Sequence, residues 1–527
     1  MKGPLRSILL LAMALCMLLS GCHLFGYRLV PYRQMEYTRP DMVTFESVLD
    51  KSCAAAVEET DIRRLEEAIF AFYDVYDQFY TNLNLSMISY SRDMTDIYWE
   101  GEYQYCLSHA ATADAGLDRL YRCLAKSPLL ETLESGAYFG PDYFDSFQGE
   151  SIYDEQMLAL LQREAELCSQ YQAISADAAN TTYYSEEYFA QYGNLMAQVF
   201  LELVQLRQEM AVYAGYDSYP AFAYDFCHVR DYTPQQATGY LADIRAELVP
   251  LYRRMIAGAT EPENGYCSQD DTVDYVRSMA QSMGGLIGEA FSEMSKAGVY
   301  ELAYGENTYA ASYEIYLSSY ATPYIFVSGT GTEYDKLTFA HEFGHFCSDY
   351  AVAGGSIQGV DVAEVFSQAM EYLSLSYADG GEEMRRIKLT EALRIYVEQA
   401  AYASFEHQVY SLTGDELTVE GIRQLYADIC TAYGMDLPGW DSRDYVCNPH
   451  FFTHPMYVIS YVLSNDAAFQ IYEMELNKQG SGLALYEQNL ASDQAYFLSF
   501  LQEAGLESPF ATGRLLRVRQ TLEQVLK

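Results

Sequence analysis

Asp335-Lys336-Leu337-Thr338-Phe339-Ala340-His341-Glu342-Phe343-Gly344-His345-Phe346-Cys347-Ser348-Asp349-Tyr350 is the stretch on which the reading turns. Thr338 to Tyr350 is compatible with a helix, with Gly344 tolerated inside it. Positions i and i+4 of a helix share a face, so His341 and His345 can reach one metal ion. Glu342, next to the first histidine, can point at a metal-bound water. Zinc lowers the pKa of such a water to about 7, and Glu342 accepts its proton as the hydroxide attacks an amide carbon.

Three protein ligands are usual at a catalytic zinc. Glu364 is the expected third. Eighteen residues separate it from His345, enough for a helix end, a loop through Gly354, Gly355 and Gly359, and a return. It lies in a second helical run, Ala363 to Leu373, among apolar neighbours. Asp361 and Glu371 are candidates to orient a ligand histidine. Just upstream, Thr322 to Ser328 reads as a short β-prone strand closed by Gly329. Two readings of it stay open. It presents an edge with which an extended peptide pairs, or it is a structural strand covered by helices.

Outward from this centre, helical periodicity dominates. Ile62, Leu65, Ile69, Phe72, Val75 and Phe79 recur at three- or four-residue spacing and form one apolar stripe. Asp93 to Leu124, Tyr153 to Ile174 and Glu186 to Tyr213 behave similarly. Gly258 to Gly265 reads as a surface loop. The expected fold is mostly α with one small sheet before the metal helix. A boundary near Tyr216 divides an N-terminal helical region, 41–215, from a catalytic region, 216–527.

With 527 residues, half of them hydrophobic, the chain can bury a large core. Asp and Glu number 74 against 32 Lys and Arg, and a formal charge of -42 repels phosphate backbones, so nucleic acid is excluded as a partner. An acidic chain can be disordered, but 50 tyrosines argue against that here. The eleven cysteines are scattered and none forms Cys-x-x-Cys, which argues against a cysteine metal site and for buried single thiols.

The first 22 residues stand apart. Lys2 and Arg6 precede an uncharged apolar run from Ser7 to Leu19, which ends in Leu19-Ser20-Gly21-Cys22. This pattern is similar to a bacterial lipobox, in which Cys22 is acylated and becomes the mature N-terminus. Residues 1–22 then read as a lipoprotein signal peptide and 23–40 as a tether. The expected location is extracytoplasmic, on the membrane through a lipid anchor at Cys22.

A second polar and aromatic cluster lies in Asn448-Pro449-His450-Phe451-Phe452-Thr453-His454-Pro455-Met456-Tyr457-Val458-Ile459-Ser460-Tyr461. Peptide cleavage passes through a tetrahedral oxyanion, which a His or Tyr donor stabilises. Tyr457 and Tyr461 stand at i and i+4, one above the other if the segment is helical. Core packing is the competing explanation of the tyrosines.

Four segments together resemble the thimet oligopeptidase/oligoendopeptidase F group of zinc peptidases, nearer the oligoendopeptidase F branch. They are Asp335 to His345, Ala363 to Ser367 with Met370-Glu371, Tyr457 to Tyr461, and Leu206-Arg207 through Met210-Ala211 to Gly215-Tyr216-Asp217-Ser218-Tyr219. The resemblance covers roughly 186–510. It implies a two-lobed helical body enclosing a deep channel that admits short peptides. It implies one zinc ion per chain on His341, His345 and Glu364, with Glu342 as general base. His450, Tyr457 and Tyr461 match its substrate and oxyanion donors. Two departures stand out. The His-to-Tyr spacing differs by one residue, with His454 intruding, so either His450 or His454 takes the family role. Phe366 stands where the branch often has His, which alters the surroundings of the site. The expected activity is endopeptidase cleavage of oligopeptides. The alternatives are a zinc carboxypeptidase of related helical fold and an inactive peptide-binding lipoprotein.

Overall fold

The computed structural model describes residues 29–135, 139–178, 181–258, 265–352 and 354–526. The signal segment with Cys22, residues 23–28 and most of the Gly258 to Gly265 loop lie outside the described residues. No helix among the described residues is long and apolar enough to cross a membrane. The body is mostly helical with one three-stranded sheet, as the periodicity predicts.

The Asp61 to Phe79 stripe opens a helix of 31 residues, Ile62–Arg92, capped by the Asp61 carboxylate on the Arg63 N–H. Leu65, Ile69 and Phe72 near its start enter a small core that runs from Phe45 to Phe147. Leu85 and Ile88 near its end enter the main core, which runs from Leu29 to Leu522. The helix thereby ties the two apolar bodies together. Helices on both sides of Tyr216, such as Asn194–Tyr213 and Tyr219–Phe226, share the main core.

Residues 29–40, expected to be tether, are instead part of the folded body. Leu29 is buried in the main core, and the Val30 N–H donates to Thr322 Oγ1. The Tyr32 ring lies 4.7 Å from that of Tyr324, and Tyr37 Oη donates to Glu102 Oε2 at 2.6 Å. Leu29, Tyr32 and Tyr37 together have more apolar surface to bury than a solvated linker retains.

The sheet consists of β1 (Tyr300–Ala303), β2 (Tyr313–Leu317) and β3 (Thr322–Ser328). Its order is β1-β3-β2, with β1 parallel and β2 antiparallel to β3. The expected strand is therefore present with the expected limits, but it is central. Both of its edges are paired, and all but its last residue are buried. A peptide has no open edge on β3; β2 is the edge strand that lies beside the metal helix. Run length and β-branching mark a strand in sequence, and they carry no information on its neighbours.

From β3 the chain turns through Thr330 and Gly331 into the helix Tyr334–Ala351. Buried Asp335 locks this turn: its carboxylate accepts from the N–H groups of Thr330 and Gly331 and from Thr330 Oγ1, at 2.7–2.9 Å. Residue 344 lies against the next helix, Val360–Tyr377. A β-carbon at Gly344 would sit 2.6 Å from the Ser367 α-carbon and 2.7 Å from the Phe366 carbonyl oxygen. The glycine is there because two backbones approach too closely for any side chain.

Candidate metal centre

The close approach at Gly344 brings the predicted ligands together. His341 Nε2 lies 3.2 Å and His345 Nε2 3.7 Å from Glu364 Oε2. One donor atom from each of the three residues falls within 4.8 Å of the others. Three ligand atoms at about 2.05 Å from a tetrahedral centre stand roughly 3.3 Å apart, so this N, N, O set fits a zinc-sized ion.

The supports of these ligands fit as well. Glu371 Oε1 lies 2.8 Å from His341 Nδ1, which assigns Nδ1 the proton and leaves Nε2 for a metal. The other Glu371 oxygen accepts from Lys388 Nζ at 2.7 Å, and Lys388 is fully buried. Glu364 Oε2 also accepts from Ser367 Oγ at 2.8 Å, and its Oε1 accepts from Tyr457 Oη at 2.6 Å. Of the two proposed orienting carboxylates, Glu371 contacts a ligand histidine. Asp361 does not: it pairs with buried Arg230 and accepts from Tyr232 Oη at 2.9 Å. One turn of helix before Glu364, its side chain leaves toward a different neighbour.

The electrostatics favour a cation. Burial works against charge on His341, yet Glu364 and Glu371 override it and hold its pKa well above the ordinary value. His345, buried and next to His341, falls to about 4. Burial would raise Glu364, but His341 and His345 hold it down to about 2. Glu342 is pushed up to about 8, first by burial and then by Glu364 and Glu371. The backbone of Glu314 on β2 opposes this rise slightly, which sets the edge strand beside the site.

The late segment faces this centre. His341, Glu342, Glu371, Gln368 and Tyr461 line one cavity. Tyr461 lies in the helix Ile459–Asn477, and its hydroxyl is 3.2 Å from His450 Nε2. Tyr457 precedes that helix, in a turn where Met456 has φ +63°, so the two tyrosines are not one helical turn apart. Pro455 cannot supply the backbone N–H that a continuous helix needs here. Their rings still converge, 5.3 Å apart. Burial, with a contribution from His454, brings His450 down to about 4 and keeps it neutral. His454 contacts Thr453 Oγ1 at 2.8 Å rather than Tyr461. Phe366 does not alter the site, because it packs against Tyr486 and Phe500.

Sequence reasoning missed three supports. Lys388 was within reach of it: the residue falls between Ile387 and Leu389, four after buried Met384, where an apolar side chain is due. His228 donates from Nε2 to the Pro455 carbonyl, under the Tyr457 turn. Arg230 joins Asp361 to Ser460 Oγ, 2.9 Å away, and so links the Glu364 helix to the Tyr461 helix. Neither residue has a signal in its local sequence. The nine described cysteines are free thiols, five of them buried.

Residues 32–150 match the model of the Peptidase M3 N-terminal domain. No curated protein matches the chain. Among solved structures, a provisionally assigned oligoendopeptidase F is 21% identical, with a TM-score of 0.83 over 94% of this chain and 98% of that one. A second, from Bacillus anthracis str. Ames, is 20% identical, with a TM-score of 0.80 over 95% and 98%. An M32 carboxypeptidase from Deinococcus radiodurans R1 is more distant, at 12% identity and a TM-score of 0.55 over 92% and 99%. The chain therefore carries an M3-type N-terminal domain and has the fold of oligoendopeptidase F structures, the group that its zinc-helix, Glu364 and Tyr-rich segments resemble.

Proposed function

We propose that this protein is a zinc-dependent endopeptidase of oligopeptides, held outside the cytoplasm by a lipid on Cys22. The observation that carries the peptidase reading is the convergence of His341, His345 and Glu364 beside a buried Glu342. His341, His345 and Glu364 would hold a divalent ion, which when bound would acidify a water and polarise a carbonyl. Glu342 takes the proton of the attacking water and passes it to the leaving amine. Tyr461 lines the same cavity and neutral His450 stands 3.2 Å from its hydroxyl, which supports both as donors to the oxyanion. Tyr457, bonded to Glu364, orients a ligand in this arrangement. The position of β2 at the edge of the sheet supports backbone pairing with an extended peptide, which tolerates many sequences.

Glu342→Gln is the test. The purified variant should retain one zinc per chain by elemental analysis and lose at least about 100-fold in cleavage of a quenched peptide. Full activity in the variant sinks the mechanism. The likeness to an M32 carboxypeptidase supports a second reading, exopeptidase cleavage. A peptide blocked at its C-terminus separates the two, since internal cuts require the endopeptidase. Globomycin-sensitive processing and labelling of Cys22 by a clickable fatty acid tests the anchor; a Cys22→Ala chain that stays on the membrane refutes it.

A further inference from the structure

The small core holds a pair of thiols that the chemistry above does not use. Cys53 lies in the helix Met42–Glu58 and Cys123 in the helix Ile97–Leu124. These helices pack side by side in the same direction, and their contacts fix the register. A β-carbon at Gly116 would stand 2.9 Å from the Phe45 ring and 3.3 Å from Leu49 Cδ2, so the two backbones are close there. One turn on, Arg119 pairs with Asp50 at 2.5 Å and lies 3.6 Å from Glu46. One further turn brings Cys123, four residues after Arg119, to the level of Cys53, four residues after Leu49.

Each of these thiols is the leading influence on the ionisation of the other. Cys123 is held down to about 7, first by the Cys53 thiol and, against burial, by Arg119 and Lys126. Cys53 is pushed up by Cys123 and by burial. The two also differ in access. Cys53 is 7% exposed, inside the core, whereas Cys123 is half-buried at its edge. A thiolate within reach of solvent, backed by a buried thiol, has the arrangement of an attacking and a resolving sulfur. No other described cysteine has a cysteine as its leading neighbour.

We propose that Cys53 and Cys123 are a disulfide site, closed when the chain meets a small disulfide oxidant outside the cytoplasm. The Cys123 thiolate attacks one sulfur of the oxidant R–S–S–R, which gives a mixed disulfide and releases RS⁻. The Cys53 thiol passes its proton to that RS⁻, and its sulfur then attacks the Cys123 sulfur and expels the second RS⁻. Two protein sulfurs are thereby oxidised to one S–S bond, and the oxidant is reduced to one thiol and one thiolate. The link closes a loop of about 70 residues around the helix Ile62–Arg92, which ties the two cores together, and so restrains the unfolded chain. The site is independent of the peptidase reading. The proposed location enters only as the place where the oxidant is met.

The test incubates the reduced, purified full chain with oxidised glutathione. Alkylation in denaturant and peptide mapping by mass spectrometry should find Cys53 and Cys123 blocked together and their peptides joined. The oxidised chain should melt about 3–5 °C above the reduced one. Cys53→Ala should instead keep a glutathione on Cys123, and neither it nor Cys123→Ala should gain in Tm on oxidation. Both thiols still free, a lasting glutathione adduct on Cys123 of the unaltered chain, a link from either residue to another cysteine, or an equal Tm gain in the variants overturns the site. None of these readouts involves zinc or peptide cleavage, so the peptidase reading stands or falls separately.

Discussion

Lys388 and Glu371 allow stability and metal affinity to be pulled apart. The ammonium is fully buried, 2.7 Å from Glu371 Oε2 and 4.4 Å from the Tyr372 ring centre. At an effective dielectric of about 20, the pair attracts by on the order of 5 kcal/mol. Much of that offsets desolvation, but removing one partner leaves the other charge buried and alone, at a cost of about 3–5 kcal/mol. Lys388→Met and Glu371→Gln should each incur that cost. With about 2.1 cal/mol/K of unfolding entropy per residue, a chain of 527 residues loses roughly 1 °C per kcal/mol, so each Tm should fall by about 3–5 °C. The double variant, with neither charge, should fall by less than the sum.

Zinc affinity should behave differently. Glu371→Gln removes the carboxylate behind His341 Nδ1 and should weaken zinc about 10- to 100-fold. Lys388→Met removes a positive charge near the cation and should not weaken it. Scanning calorimetry of the metal-free proteins and competition against a chromophoric chelator measure the two quantities. Equal zinc losses in both single variants, or strictly additive Tm losses, refute the reasoning.

Gly344→Ala places a methyl group 2.6 Å from the Ser367 α-carbon, so the two ligand-bearing helices must separate. The variant should lose about 1–3 kcal/mol of stability, seen in denaturant melts, and bind zinc more weakly in the same chelator competition. Glu406 is pushed up to about 8 by burial, against an ordinary 4.5, while it accepts from the Met456 N–H behind the Tyr457 turn. A carboxyl raised on folding ionises first in the unfolded chain, so its share of stability is present below pH 4.5 and is lost as pH rises toward 8. Glu406→Gln should flatten the decline of Tm between pH 5 and 8, and an unchanged slope counts against the assignment.

The sequence by itself determined much of this protein. A five-residue motif with the i, i+4 rule was enough to place His341, His345 and Glu342, because those contacts lie within one helix. Glu364 followed from a ligand count and a spacing, and the limits of β3 from a run of β-prone residues. The mostly helical architecture followed from periodicity, which is also a local property.

The tertiary structure decided whatever depends on neighbours distant in the chain. It made β3 central and β2 the edge, since strand order follows from which buried faces pack together. It gave Glu371 and not Asp361 to His341, because the direction in which a helix faces its partner is fixed at the Gly344 crossing. It drew residues 29–40 into the core and placed Tyr457 outside the helix of Tyr461. Arg230 and Asp361 are 131 positions apart, and only folding creates their contact. Local periodicity is written in the backbone geometry of each segment, whereas the register between segments is the outcome of packing the whole core at once.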